Sequence, residues 1–139
     1  MDDDAINRMV LKGILKLHNY NVIEADNGAA ALQKISENPE IDLVILDVMM
    51  PKMTGYEACE ILRKEHAMQD LPIIFLTAKD VESELTQGFL SGGNDFVSKP
   101  VKKEELLARI KAQLTLLLHA RSLKHENEQA LQNQHISQL

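Results

Sequence analysis

The feature that most constrains this chain is a pair of short, nearly unbroken apolar runs, IDLVIL at residues 41–46 and PIIFL at residues 72–76. Branched apolar runs of this length read as strands. A strand without polar alternation expects cover on both faces, as in a parallel sheet. The segments between them supply that cover. From residue 5 to about 19, Ile6, Val10, Ile14 and Leu17 recur at three- and four-residue spacing and predict an amphipathic helix. Residues 20–25 read as a short strand, and Asp26-Asn27-Gly28 as a turn into a second helix, 29–38. Thr54 and Glu57 have capping-box spacing and open a third helix to about residue 66. Asp80 can cap a fourth, closed by Gly92-Gly93, and residues 95–98 form the last strand. Alternating strands and helices joined by short loops predict an α/β fold with a doubly wound parallel sheet.

Sites in such sheets form beyond the carboxyl ends of the strands. Asp47, Thr77 and Lys99 each begin a loop on that edge, and the acidic run Asp2-Asp3-Asp4 precedes the first helix on the same edge. Taken singly each has a plainer reading: solvated tail, turn residue, helix former, surface charge. Together they match the needs of phosphoryl transfer to a side chain. The acceptor must be an oxygen ionised at neutral pH, which an ordinary Asp provides. Magnesium wants hard oxygen ligands from one or two carboxylates. Charge on the transferring oxygens needs a cation and a hydrogen-bond donor.

Four local motifs carry a resemblance. They are Asp2-Asp3 with Asn7-Arg8; LVILDVMMP at residues 43–51, followed by Gly55; IFLTA at 74–78; and FVSKP at 96–100. In this order they strongly resemble the receiver domain of two-component response regulators, from residue 2 to about 114. The resemblance implies a flavodoxin-like fold in which Asp47 is the phosphoacceptor. It implies Mg2+ held by Asp2, Asp3, Asp47 and the backbone carbonyl of Met49. Lys99 would pair with the phosphoryl oxygens, Thr77 would donate its hydroxyl to them, and Phe96 would be the aromatic that turns inward. The Lys99–Pro100 bond would be cis. Met49 and Lys79 stand where the family tunes phosphate lifetime; neither is a water-activating acid or amide, so the phosphate is expected not to be unusually short-lived.

Two departures stand out. The family begins with an apolar strand ending in the acidic pair, whereas only Met1 precedes Asp2 here. That strand would lie mid-sheet, and about five lost apolar residues forfeit on the order of 7–15 kcal/mol of burial, comparable to a domain's whole stability. A start further upstream is the favoured explanation, ahead of closure by the remaining strands or cover from a neighbouring chain. The second departure is the last helix. Leu107, Ile110, Leu114 and Leu117 continue the helical register past residue 113, where a receiver usually ends. The apolar seam then weakens. The chain therefore divides into a receiver domain, 1–118, and a C-terminal helical extension or linker, 119–139, expected to fray.

Partners follow from these readings. A histidine kinase or phosphotransfer protein would supply phosphate, and the fourth helix, last strand and last helix would face a downstream output domain or protein. Homodimers through the last helix or the exposed sheet edge are a further expectation. A net charge of −6 argues against direct nucleic-acid binding, and no apolar run approaches a membrane span. The single cysteine, Cys59, permits no internal disulfide and fits a reducing, cytoplasmic setting. His119, His125 and His135 have no close helical pairing and read as solvated. The chain is expected to be a phosphoacceptor signalling domain rather than an enzyme. The alternatives are a receiver-fold binding module that is not phosphorylated, and a small phosphohydrolase, disfavoured because Met49 replaces its companion acid.

Overall fold

Three parallel strands, β1 (Val44–Asp47), β2 (Ile73–Thr77) and β3 (Asp95–Ser98), form one sheet in the order β1-β2-β3. The computed structural model describes the backbone of residues 2–50, 52–78 and 82–138, and side chains over that range except at 2–5, 7, 82–85 and 124–138. Five helices accompany the sheet: α1 (Asp2–Leu17), α2 (Gly28–Glu37), α3 (Gly55–Arg63), α4 (Glu82–Ser91) and α5 (Lys103–Gln138).

The central strand shows why the chain folds this way. All five residues of β2 are buried, and period-two alternation sends them to opposite faces. Ile73 and Phe75 join one apolar cluster with Ile35 of α2 and Ala58, Cys59 and Leu62 of α3. Ile74 and Leu76 join a second with Leu15 of α1 and Leu106 and Ile110 of α5. Both faces are thus covered, as the unbroken apolar runs require.

Helix ends follow local chemistry. Asn27 caps α2, its side chain accepting from the Ala30 amide at 2.8 Å. Thr54 caps α3 by accepting from the Glu57 amide at 3.2 Å. Gly92, at φ +100°, reverses the chain after α4 in the left-handed region that suits glycine. The expected cap Asp80 lies outside the described residues. The acidic run, expected ahead of the first helix, instead forms its first turn, where the helix dipole favours negative charge.

One expected strand is absent. Residues 20–25 have no ladder partner and are not a strand. The reason is nonlocal: a strand exists by pairing, and among the described residues no strand pairs with this segment. It is held by other means. Tyr20 donates its amide to the Leu15 carbonyl at 3.0 Å, Tyr20 and Val22 pack on the second apolar cluster, and Lys12 pairs with Glu24 at 3.2 Å.

The last helix continues without interruption to Gln138. Leu117 is buried, and Arg121 reaches back to Asp42 at 3.2 Å.

Candidate functional site

The parallel register brings three chemically distinct groups to one sheet edge. Asp47 ends β1 opposite Leu76, and Thr77 ends β2 opposite Ser98, which leads into Lys99. The Lys99 amide donates to the Thr77 carbonyl at 2.7 Å, so the third loop leaves the sheet beside the second. The Lys99–Pro100 peptide is cis, as expected.

Asp47 is held on both oxygens. Its Oδ1 accepts from the Met49 amide at 3.0 Å, and its Oδ2 pairs with the Lys99 ammonium. Both side chains of that pair are only about a fifth exposed, at 22% and 21%. The bond from Met49 also folds the loop after β1 back on the carboxylate, leaving the Met49 side chain 67% exposed.

The α3 N-terminus packs directly against this loop. Gly55 donates its amide to the Val48 carbonyl at 3.0 Å, and a Cβ on Gly55 would stand 2.5 Å from the Asp47 carbonyl oxygen. Glycine is therefore required by close approach of two backbones.

Thr77 is the unusual member. It is 1% exposed, and its Oγ1 is buried with no hydrogen-bond partner among the described residues. Buried hydroxyls are normally satisfied, so an orphaned donor next to an ion pair marks a place where a ligand oxygen would be welcome. Phe96, by contrast, lies inward. Its ring is 5.6 Å from Phe75 and 4.7 Å from Phe89, and it fills space that a side chain on Gly88 would occupy.

The structure therefore brings together Asp47, Met49, Thr77 and Lys99. Asp2 and Asp3 begin α1, but their side chains lie outside the described residues, as does all of Lys79. Among the described residues no cluster of three His, Cys, Asp or Glu side chains forms. Gly88 was not singled out from the sequence as the residue that makes room for Phe96. Its only signal was a glycine inside a helical stretch.

Several likenesses bear on this arrangement. The sequence pattern of the response regulator receiver domain matches residues 1–111. The chain is 42% identical over 113 residues to the uncharacterized transcriptional regulatory protein YrkP of Bacillus subtilis (strain 168), covering 81% of this chain and 46% of that protein. It is 44% identical over 114 residues to response regulator MprA of Mycobacterium sp. (strain KMS), covering 82% and 48% respectively. It thus spans about half the length of the curated relatives it matches. A CheY-like receiver domain protein from Methanospirillum hungatei JF-1 superimposes with a TM-score of 0.76 at 27% identity, over 85% of this chain and 92% of that one. The strand-end residues and these likenesses agree, and the chain belongs to the response regulator receiver domains.

Proposed function

We infer that Asp47 is the phosphoacceptor of this receiver and that a histidine kinase or phosphotransfer protein supplies the phosphoryl group. A carboxylate oxygen of Asp47 forms the new O–P bond as the N–P bond to the donor imidazole breaks, and the electron pair stays with that nitrogen. The Lys99 ammonium, already on the Asp47 carboxylate, has three donors and shifts toward the arriving phosphoryl oxygens. Thr77 donates its hydroxyl to another of them. The observation that carries this reading is the orphaned Thr77 hydroxyl beside the Asp47–Lys99 pair.

The described donor set suits a hard cation, because Met49 is tied to Asp47 and each carboxylate oxygen can accept more than one bond. Mg2+ would be held by Asp47, the Met49 carbonyl, Asp2 and Asp3. When bound, it neutralises charge on the phosphoryl oxygens.

Thr77 movement toward the phosphoryl group would alter the packing around Phe96 and so the face made by α4, β3 and α5. That face carries exposed Phe89 and Leu90, and an output domain or protein would read it. Met49 and Lys79, two residues after Asp47 and Thr77 in the sequence, favour a phosphate that persists for longer than seconds without a phosphatase. Residues 1–118 form the receiver and 119–139 the helical extension, a further surface for homodimers. No helix among the described residues is long and apolar enough to cross a membrane, and we place the domain in the cytoplasm.

The test is direct. Folded protein incubated with magnesium and a small acyl phosphate should gain one phosphoryl group, labile to base, by intact-mass measurement. Asp47→Asn should gain none. A folded wild-type chain that stays unmodified, or an Asp47→Asn chain modified equally, overturns the reading.

A further inference from the structure

The outward side of α1 carries an apolar stripe that nothing among the described residues covers. Ile6, Met9, Val10 and Leu17 recur at three-, four- and seven-residue spacing, and each is more than half exposed, Leu17 at 77%. Gly13 completes the stripe. It is exposed, and a Cβ there would meet nothing within 4 Å. The other side of the helix is engaged in the fold. Leu15 and Leu11 join the second apolar cluster, and Lys12 pairs with Glu24. At 3.6 residues per turn the stripe lies roughly opposite those three residues, so its exposure does not depend on how the sheet side of α1 is packed.

A net charge of −6 opposes self-association in general. The stripe itself carries no charge, so two copies can meet there without repulsion.

Antiparallel pairing of two α1 helices makes this stripe self-complementary. With a two-fold axis between Met9 and Val10, Met9 of one copy lies opposite Val10 of the other, and Ile6 opposite Gly13. The Ile6 side chain then enters the space that glycine leaves open, a knob into a hole, and symmetry repeats the contact. Charge selects the same direction. The first turn of α1 contains Asp2, Asp3 and Asp4, and its last turn contains Lys16. An antiparallel pair sets that acidic turn beside the other copy's Lys16 and opposes the two helix dipoles. A parallel pair would stack like charge on like. It would also face Ile6 with Ile6 and Gly13 with Gly13, leaving the hole unfilled.

We propose that the outward face of α1 is a homodimer interface, with two copies of this chain paired antiparallel about Met9 and Val10 and Ile6 of each seated over Gly13 of the other. It is separate from the extension at 119–139 and independent of phosphoryl transfer. The 16 residues of α1 span about 24 Å. Such a contact belongs to the small, transient class of interface, so dimerisation depends on concentration.

The test is sedimentation velocity of the full, unmodified chain over a concentration series. Wild type should pass reversibly from monomer to dimer. Gly13→Gln fills the hole without displacing any neighbour, and it replaces a helix-interior glycine with a better helix former. It should therefore melt no lower than wild type, yet stay monomeric where wild type is mostly dimer. Met9→Cys should crosslink to its own copy across the axis with a short bis-maleimide, whereas Lys12→Cys, on the sheet side, should not. A dimer that persists undiminished in Gly13→Gln overturns the proposal and moves the interface elsewhere. A folded wild type that is monomeric throughout overturns it as well. Slower phosphoryl acceptance by Gly13→Gln from a histidine phosphotransfer protein, but not from a small acyl phosphate, would then assign the stripe to the phosphodonor.

Discussion

Thr77 holds a buried hydroxyl with no partner among the described residues, and leaving such a group unsatisfied costs about 1–3 kcal/mol. Thr77→Val keeps nearly the same shape and removes the donor. It should raise unfolding free energy in urea by about 1 kcal/mol while slowing phosphoryl acceptance by small acyl phosphates. A destabilised Thr77→Val would mean the hydroxyl is satisfied in the free domain. Cys59 is the other buried group with a definite consequence. It is fully buried on α3, its Sγ donates to the Ser91 carbonyl at 3.3 Å, and burial pushes the thiol above its ordinary value of 9.0. Nearby Arg63 opposes that rise and Glu60 adds to it, but desolvation dominates. Because the folded chain holds this proton more tightly than the unfolded one, the contribution is complete below pH 9 and is lost as pH rises beyond it. The stability difference between wild type and Cys59→Ala should therefore be flat below pH 9 and shrink above it, measured by urea unfolding across that range. Asp47 and Thr77 were legible because each directly follows an apolar run, and Lys99 because it follows the short strand Asp95–Ser98. The orphaned state of Thr77 was not, since it depends on what the other strands bring near.

At the scale of elements, short apolar runs and caps could be read directly. Residues 44–47 and 73–77 are strands that overlap the expected runs 41–46 and 72–76 and each extend one residue beyond them, and Thr54 and Asn27 cap the helices that follow them. Residues 20–25 have the same local character yet form no strand, because pairing depends on a neighbour that no local pattern encodes. Lys52 at φ +66° is likewise a loop conformation without a glycine or asparagine to announce it. Gly88 shows how α4 and β3 are coupled. A Cβ there would collide with the outer edge of the Phe96 ring and stand 3.3 Å from Phe75. Gly88→Ala should cost about 1–3 kcal/mol through overpacking. Combining it with Phe96→Leu should recover part of that loss, since the smaller side chain yields the space. A double-mutant cycle by chemical denaturation reads the coupling. Strict additivity would show that Phe96 is not what Gly88 accommodates.

On the scale of the whole molecule, the sheet end opposite Asp47 is tied by one polar hub that no sequence motif signalled. Arg63, the last residue of α3, donates to the Gly92 carbonyl at 2.7 Å and the Leu71 carbonyl at 2.8 Å, and more weakly to the carbonyls of His66 and Ala67. It also meets Asn94 Oδ1 at 2.6 Å, which in turn accepts from the Ile73 amide at 2.9 Å. One guanidinium thus joins α3, the entry to β2 and the turn between α4 and β3. Arg63→Met keeps most of the apolar stem but leaves several partly buried acceptors unpaired. At about 1–3 kcal/mol for such groups, with partial relaxation to water, the loss should be about 3 kcal/mol. Arg63→Lys should restore little of it, because a single ammonium cannot span partners that the planar fork reaches together. The groups that surround Asp47 belong to the other end of the strands. Phosphoryl acceptance per folded molecule should therefore be unchanged in Arg63→Met at temperatures well below its melting point. Loss of acceptance in parallel with full folding, read by circular dichroism beside intact mass, would show instead that the hub sets the geometry of the opposite edge.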